Sequence, residues 1–304
     1  MGKIIISVIV TTYNSEEYIQ KTIDGIRDQE GAGHDFEIEL IVVDDCSSDS
    51  TRYILQANNI DFISTSENSG GPNVGRNIGL KKSSGDYICI ADHDDEWLPF
   101  KLKSQLDVAH LAPIITSGHT VINKSTNRIT KCVSSSSLEH LFFEKDSTFI
   151  SRLIKSKTGQ NTYIGSIMFS SKLSKIRFEE HFGVVDYDWY LRLFEGQSSV
   201  EVNRSLYNRI VFDSNLSLNS KYRARDFCYS LYSLEPYWDN YPKECKTAYK
   251  RINGSLARYY YFIGEMSRAR FYFKYSGISL KTIMYYLTTF AGSKYVKKRF
   301  NVFG

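Results

Sequence analysis

Tyr87-Ile88-Cys89-Ile90-Ala91-Asp92-His93-Asp94-Asp95-Glu96-Trp97 is the stretch whose reading decides the fold. Residues 87–91 are apolar and few, as in a strand covered on both faces. Four carboxylates follow in five positions. They repel one another, so a stable fold keeps them together only around something cationic. Mg²⁺ or Mn²⁺ is the natural candidate: both favour carboxylate oxygens and leave coordination positions for phosphate, whereas zinc would ask for more His or Cys. The competing reading is an acidic helix start, with Pro99 opening a helix over 100–110.

Working outward, the same punctuation recurs. Residues 3–10 form an apolar, β-branched run ended by Thr11, Thr12, Tyr13 and Asn14. Ser15 then reads as the N-cap of a helix over 16–27, with Tyr18, Ile19, Ile23 and Ile26 on one face. Residues 36–43 predict a second strand that stops at Asp44 and Asp45, and Ser48 or Asp49 caps a helix running to about residue 57. A third strand is expected over 60–64 and a helix over 74–82. Strands alternating with helices, and apolar on both faces, imply an α/β fold built on a mainly parallel sheet covered by helices. Ligands of such sheets bind at the carboxyl ends of the strands. The polar segments 11–14, 44–49 and 92–96 all fall there and converge on one crevice.

The 304 residues are 42% hydrophobic and 24% charged, enough to bury a full core. No run approaches the roughly 20 apolar residues of a membrane span, and residues 1–6 lack the apolar core of a secretory signal, so a cytoplasmic chain is expected. Five cysteines, at 46, 89, 132, 228 and 245, form no CxxC pair and read as reduced packing residues. Residues 221–304 carry 16 Lys plus Arg against 5 Asp plus Glu, a net of +11, while residues 1–220 carry −7. The tail also holds 14 of the 22 tyrosines. This shift divides the chain into 1–220 and a basic, Tyr-rich helical extension, 221–304.

Within the extension, 255–262 and 266–274 read as a helical hairpin split around Gly264, and 279–290 as a further amphipathic helix whose aromatic stripes face a core. Lys281, Lys294, Lys297, Lys298 and Arg299, with Tyr285, Tyr286, Phe290 and Phe300, are expected to lie against an anionic membrane surface. A nucleic-acid partner ranks below, because no nucleic-acid motif is present.

Three further groups carry chemistry. Asp44 and Asp45 end a buried strand, where a carboxylate needs partners; they can accept hydrogen bonds from a nucleobase and ribose, although Ser47, Ser48 and Asp49 leave a helix-cap reading open. Residues 68–77 make a Gly-rich turn into a helix, where Arg76 either neutralises acidic groups or phosphate or is a plain surface arginine. Asp186 opens the helical segment Asp186-Tyr187-Asp188-Trp189-Tyr190-Leu191-Arg192 and can act as a general base or as a first-turn Asp.

In order and spacing, these residues resemble the family 2 inverting glycosyltransferases of the GT-A fold over residues 4–217: Thr12-Tyr13-Asn14, Asp44-Asp45 with Ser47-Ser48-Asp49, Asn68 through Arg76, Gly85-Asp86, Asp92-x-Asp94-Asp95, Gly165-Ser166, and Asp186 with Asp188 and Arg192. The resemblance implies a Rossmann-like mixed sheet with helices on both faces. It also implies a UDP-linked nucleotide-sugar donor; with the basic extension lying peripherally against the inner face of the membrane, a glycan or polyprenyl-linked acceptor in surface polysaccharide synthesis is expected. Thr11, Tyr13 and Asp45 would contact the nucleoside with Asp44 close by, and Asp92 would lie near the ribose. Asp94 would hold Mn²⁺ or Mg²⁺, and Asp186 would be the catalytic base with Asp188 as the fallback.

Several residues depart from the family pattern. Cys46 stands where a glycine is usual, Val185 where an acidic residue commonly precedes the base, and Val211 where a His often follows the Arg; closure over the donor by 206–217 with Arg209 is therefore a hypothesis. His93 is expected to be an exposed spacer. The alternative function is a catalytically silent nucleotide-sugar binder or assembly subunit. A sugar nucleotidyltransferase is disfavoured, since no Gly-rich, Lys-bearing loop follows the first strand. Specificity is expected around Ser117–His119, Asn161–Ser166 and His181.

Overall fold

The computed structural model describes residues 2–156, 159–181, 186–211, 220–292 and 295. The chain divides into two compact units, Met1–Phe149 with Thr158–Leu218, and Ile150–Lys157 with Asn219–Gly304.

In the first unit, β1 (Ile4–Thr12), α1 (Ile19–Arg27), β2 (Phe36–Asp44), α2 (Thr51–Ala57), β3 (Phe62–Ser64), α3 (Asn73–Lys82) and β4 (Tyr87–Asp92) alternate as the periodicity predicts. They are followed by β5 (Glu96–Trp97), α4 (Lys101–Asp107), β6 (Ile114–Asn123), β7 (Arg128–Cys132), β8 (His140–Phe143), the first residues of α5 (Ser147–Ile154), which continues into the second unit from Ile150, and then β9 (Met168–Ser170), α6 (Tyr187–Phe194) and β10 (Ser199–Val211). One sheet runs in the order β3-β2-β1-β4-β9-β6-β10-β5, with β7 on β6 and β8 on β10. β1 pairs parallel with β2 and β4, β2 with β3, and β6 with β10, while β9 runs antiparallel between β4 and β6. This is the mixed, mainly parallel α/β sheet that the alternation implies.

β1 is apolar on both faces because helices cover both. Ile6, Val8 and Val10 pack with Ile19, Ile23 and Ile26 of α1. Ile9 meets α3 at Gly79, where an added Cβ would overlap the Ile9 side chain. In register, Thr12 lies opposite Asp44 and Thr11 opposite Asp92, so the polar strand ends are level.

Two local expectations are corrected. Ser15 does not cap α1 with its side chain: its hydroxyl pairs with Thr12, its carbonyl accepts from Tyr18 and Ile19, and the helix starts at Ile19. Pro99 does not begin an eleven-residue helix, because α4 is confined to Lys101–Asp107.

The second unit contains α7 (Ser220–Tyr232), α8 (Pro242–Ile263), α9 (Met266–Lys274) and α10 (Leu280–Thr288). The helix expected over 255–262 is the end of α8, since Cys245, Ala248 and Ile252 carry the same buried stripe upstream. Gly264 closes α8 with φ 93°, the left-handed cap that glycine adopts without strain. Tyr260, Tyr261, Phe273 and Tyr285 join Leu256, Ala257, Met266 and Ala269 in the core of this unit. Tyr285 is therefore core, and the apolar face of α10 that meets solvent is Leu280, Ile283, Met284 and Leu287, flanked by Ile278 and Phe290. Lys294, Lys297, Lys298, Arg299 and Phe300 lie outside the described residues, as do Val185 and residues 212–217 of the expected closing segment. Of the cysteines only Cys89 and Cys245 are buried; Cys228 is exposed, so packing does not account for all five. Among the described residues no helix is long and apolar enough to cross a membrane.

Candidate active site

At the end of β2, Asp44 is fully buried. Its Oδ2 accepts from Arg52 Nε at 2.6 Å, Ser47 N at 3.2 Å and Ser64 Oγ at 3.3 Å. Its Oδ1 is buried with no hydrogen-bond partner among the described residues. Asp45 accepts from Thr65 Oγ1 at 3.0 Å, from Asn68 Nδ2 at 3.3 Å, and from Ser69 N and Oγ at 3.0 and 2.9 Å. The carboxylate thus gathers residues 65–69 onto the strand end. Cys46, directly after Asp45, has φ 62°, the left-handed geometry that makes a glycine usual at this turn. Thr11 is buried and Tyr13 exposed at the neighbouring end of β1.

Arg76, on α3, is the hub of the site. It is 3% exposed, and its Nη1 donates to Asp186 Oδ1 and its Nη2 to Asp92 Oδ1, each at 2.8 Å. Burial works against its charge, but Asp186 and Asp92 outweigh that and hold the guanidinium firmly protonated. Asn73 Oδ1 accepts from Nη1 at 3.2 Å. The residues around Arg76 fix α3 in place: Asn73 Nδ2 donates to Glu179 O at 2.7 Å, and Asn77 exchanges two hydrogen bonds with the Phe178 backbone at 2.8 and 2.9 Å. Phe178 stacks on Trp189 of α6 with centroids 4.4 Å apart. Asp186 occupies the N-cap position of that helix without a side-chain capping bond. Asp188 is turned to Arg192, whose Nε donates at 3.0 Å.

Asp94 and Asp95 follow β4. Burial raises the carboxyl of Asp94 above its ordinary value, His93 opposes, and Asp92 adds to the rise. Asp95 is 4% exposed, and burial followed by the charges of Asp92 and Asp94 pushes it well up, against Arg209 and the buried Lys101. Gly165 makes room for it, since a Cβ there would overlap Asp95 Oδ2 and lie 3.0 Å from the Tyr207 ring. Arg209, in β10, sits over the Tyr163 ring at 4.6 Å. Among the described residues no three His, Cys, Asp or Glu form a ready-made metal cage.

Arg76, Asp92 and Asp186 are brought into direct contact, with Asp94 adjoining. Asp44 and Asp45 stand at the next strand end but one, bound to Arg52 and to residues 65–69. His93 is partly buried, with its carbonyl accepting from Thr22 at 2.7 Å; His181 is exposed and turned to Glu179. Sequence pattern gives no role to Asn73, and it places Asp95 in the acidic cluster without one of its own. Asn73 lies one helical turn before Arg76, the spacing at which side chains on a helix meet.

Residues 7–179 match Glycosyl transferase family 2. A Campylobacter jejuni protein named GalNAc(5)-diNAcBac-PP-undecaprenol beta-1,3-glucosyltransferase is 26% identical over 293 residues, 91% of this chain and 89% of that protein. TuaG of Bacillus subtilis, named for teichuronic acid biosynthesis, is 39% identical over 110 residues, 34% of this chain and 42% of its own length. This chain thus spans less than half of TuaG. Among solved structures, Staphylococcus aureus TarS 1–349 in complex with UDP-GlcNAc has a TM-score of 0.59 at 18% identity, covering 96% of this chain and 91% of that one. That likeness speaks for the fold, as the family match speaks for descent: the chain belongs to glycosyl transferase family 2.

Proposed function

We propose that the chain is a metal-dependent inverting glycosyltransferase that moves a sugar from a UDP-sugar to a glycan or polyprenyl-linked acceptor in bacterial surface polysaccharide synthesis. The observation that carries this reading is the joining of Asp92 and Asp186 by one buried guanidinium beside Asp94, at the carboxyl edge of the sheet. The names of the C. jejuni and B. subtilis relatives and the UDP-GlcNAc complex of TarS point the same way.

In this reading Asp186 takes the proton of an acceptor hydroxyl. The freed oxygen attacks the anomeric carbon from the face opposite the diphosphate, the bond from that carbon to the leaving oxygen breaks with its electron pair, and configuration inverts. Arg76 keeps Asp186 aligned and ties it to Asp92. Thr11, Tyr13 and Asp45, with Asp44 behind them, receive the nucleoside. The donor set fits a divalent ion: Mg²⁺ or Mn²⁺ rests on one or two carboxylates when phosphate oxygens and water complete its shell, and the crowded charges of Asp92, Asp94 and Asp95 favour a cation. Asp94, with Asp92, would hold it. When bound, it supplies positive charge against the leaving diphosphate. The exposed apolar face of α10 and the basic composition of 221–304 fit an anionic membrane surface, where a lipid-linked acceptor would be met.

The test is nucleoside diphosphate release from UDP-, dTDP- and GDP-sugars with Mn²⁺ or Mg²⁺, in the wild type and Asp94→Ala. Metal-dependent turnover of one donor, lost in Asp94→Ala, supports the enzyme. Metal-dependent nucleotide binding with no turnover, even with lipid-linked acceptors supplied, favours the silent binder. Absence of any nucleotide binding overturns both.

A further inference from the structure

His119, in β6, is 1% exposed, and neither ring nitrogen has a hydrogen-bond partner among the described residues. Two aromatic rings clamp it: Tyr163 edge-on with centroids 4.8 Å apart, and Tyr207 stacked at 5.5 Å. Tyr207 Oη, Ser117 Oγ and Thr162 Oγ1 are likewise buried without partners. Ser117 lies two residues before His119 on the same strand, and Thr162 directly precedes Tyr163. Buried polar side chains are nearly always hydrogen bonded, because an unpaired one costs desolvation with no return. Several on adjoining elements point to a ligand that the fold is shaped to receive.

The chemistry of that ligand follows from the ring. Burial and the nearby Arg209 push the His119 imidazole down to about 4, so at neutral pH it offers one donor and one acceptor nitrogen. A phosphate oxygen, which only accepts, would leave the acceptor nitrogen unmatched. A hydroxyl, which both donates and accepts, suits it, and the Tyr207 hydroxyl has the same dual character. The place is also specific: the Tyr207 ring and Asp95 Oδ2 meet across Gly165, and Asp95 directly follows Asp94.

We propose that His119 and Tyr207 form a specificity subsite that hydrogen bonds a hydroxyl of the donor sugar. The inference rests on the reading of the crevice as a nucleotide-sugar site and adds which residues select the sugar.

The experiment titrates the full chain with UDP, UDP-glucose, UDP-galactose and UDP-GlcNAc in Mn²⁺. The proteins are the wild type, His119→Phe, His119→Gln and Tyr207→Phe, and the quantity read is the affinity for each UDP-sugar relative to UDP. For the preferred sugar, His119→Phe lowers this ratio about tenfold, since a buried sugar hydroxyl loses its partner. His119→Gln, which keeps a donor and an acceptor, restores most of it. UDP affinity and melting temperature stay at wild-type values, which a merely structural histidine would not allow. An unchanged ratio in both His119→Phe and Tyr207→Phe, with UDP still bound, overturns the subsite alone. Failure of the wild type to bind UDP overturns the nucleotide reading and the subsite with it. Should His119→Phe fail to fold, Tyr207→Phe, which deletes a single oxygen, decides the matter.

Discussion

Arg76 and Asp186, 110 residues apart in sequence, meet at 2.8 Å, Nη1 to Oδ1, while the other end of the same guanidinium holds Asp92. One cation therefore ties the N-terminus of α6 to the end of β4. Arg76→Lys leaves a point charge that cannot span both carboxylates, and turnover of the preferred nucleotide-sugar is expected to fall at least tenfold. Arg76→Ala removes the charge altogether. Its cost to stability is about 2 kcal/mol, below that of a fully buried pair, because Asp92 and Asp186 are both partly exposed. Denaturant melts of the two variants separate these effects: Arg76→Lys is the more stable and both are impaired in turnover.

Asp186 and Asp188 differ in their surroundings, and that difference predicts which is the base. Arg192 holds Asp188 within its own helix, one turn away, whereas Asp186 faces the hub of the site. Asp186→Asn should lower turnover by about 10²–10⁴-fold with UDP binding retained. Asp188→Asn should cost stability and leave most of the turnover. The reverse pattern would transfer the role of base to Asp188.

The depressed imidazole of His119 makes a pH prediction with a definite sign. Unfolded chain protonates His119 below about 6.5, while the folded chain resists until about 4. Between those values the unfolded state binds the extra proton, so stability present above pH 6.5 is lost as pH falls. The full loss is about 3 kcal/mol at one residue. In His119→Phe this component is absent. Denaturant melts from pH 7 to pH 4 should show the wild type losing stability relative to the variant, and parallel curves would contradict the assignment.

The alternation of strand and helix through residue 92 was legible because local apolar runs and their polar stops coincide with tertiary burial. β1 needs two apolar faces, and its sequence displays both. Asp92, Asp94 and Asp186 stand out in the sequence because ionisable residues at element ends are conspicuous, and the structure joins Asp92 to Asp186 through Arg76. Other features were not legible. β9 is three residues long and inserts antiparallel between β4 and β6, a pairing with no local signature. Ser15 has the composition of a cap, yet its hydroxyl is taken by Thr12, a neighbour set by the turn. Arg76 read equally well as a surface residue, because burial depends on Phe178 and Asp186 arriving from a hundred residues away. His119 was visible only as part of a stretch, since its orphaned nitrogens are a property of Tyr163 and Tyr207 folding around it.

The two faces of α10 differ. Leu280, Ile283, Met284 and Leu287 recur at helical spacing and face solvent, with exposures of 76, 45, 42 and 62%. Tyr285, on the opposite face, packs edge-on against Tyr261 at 4.9 Å and stacks on Phe273 at 5.9 Å. The helix therefore already has a core side, and its solvent side is apolar where a soluble surface would be charged. Flotation with phosphatidylglycerol vesicles at low salt should recover the wild type. The triple variant Ile283→Glu, Met284→Glu, Leu287→Glu should stay behind and keep its melting temperature within a few degrees, since exposed positions contribute little to folding. Added salt should weaken recovery only in part, because hydrocarbon burial is insensitive to screening while attraction of the basic extension is not. A wild type that fails to float would remove the membrane from the proposal. A triple variant that floats as well as the wild type would move the contact from α10 to the basic residues that follow it.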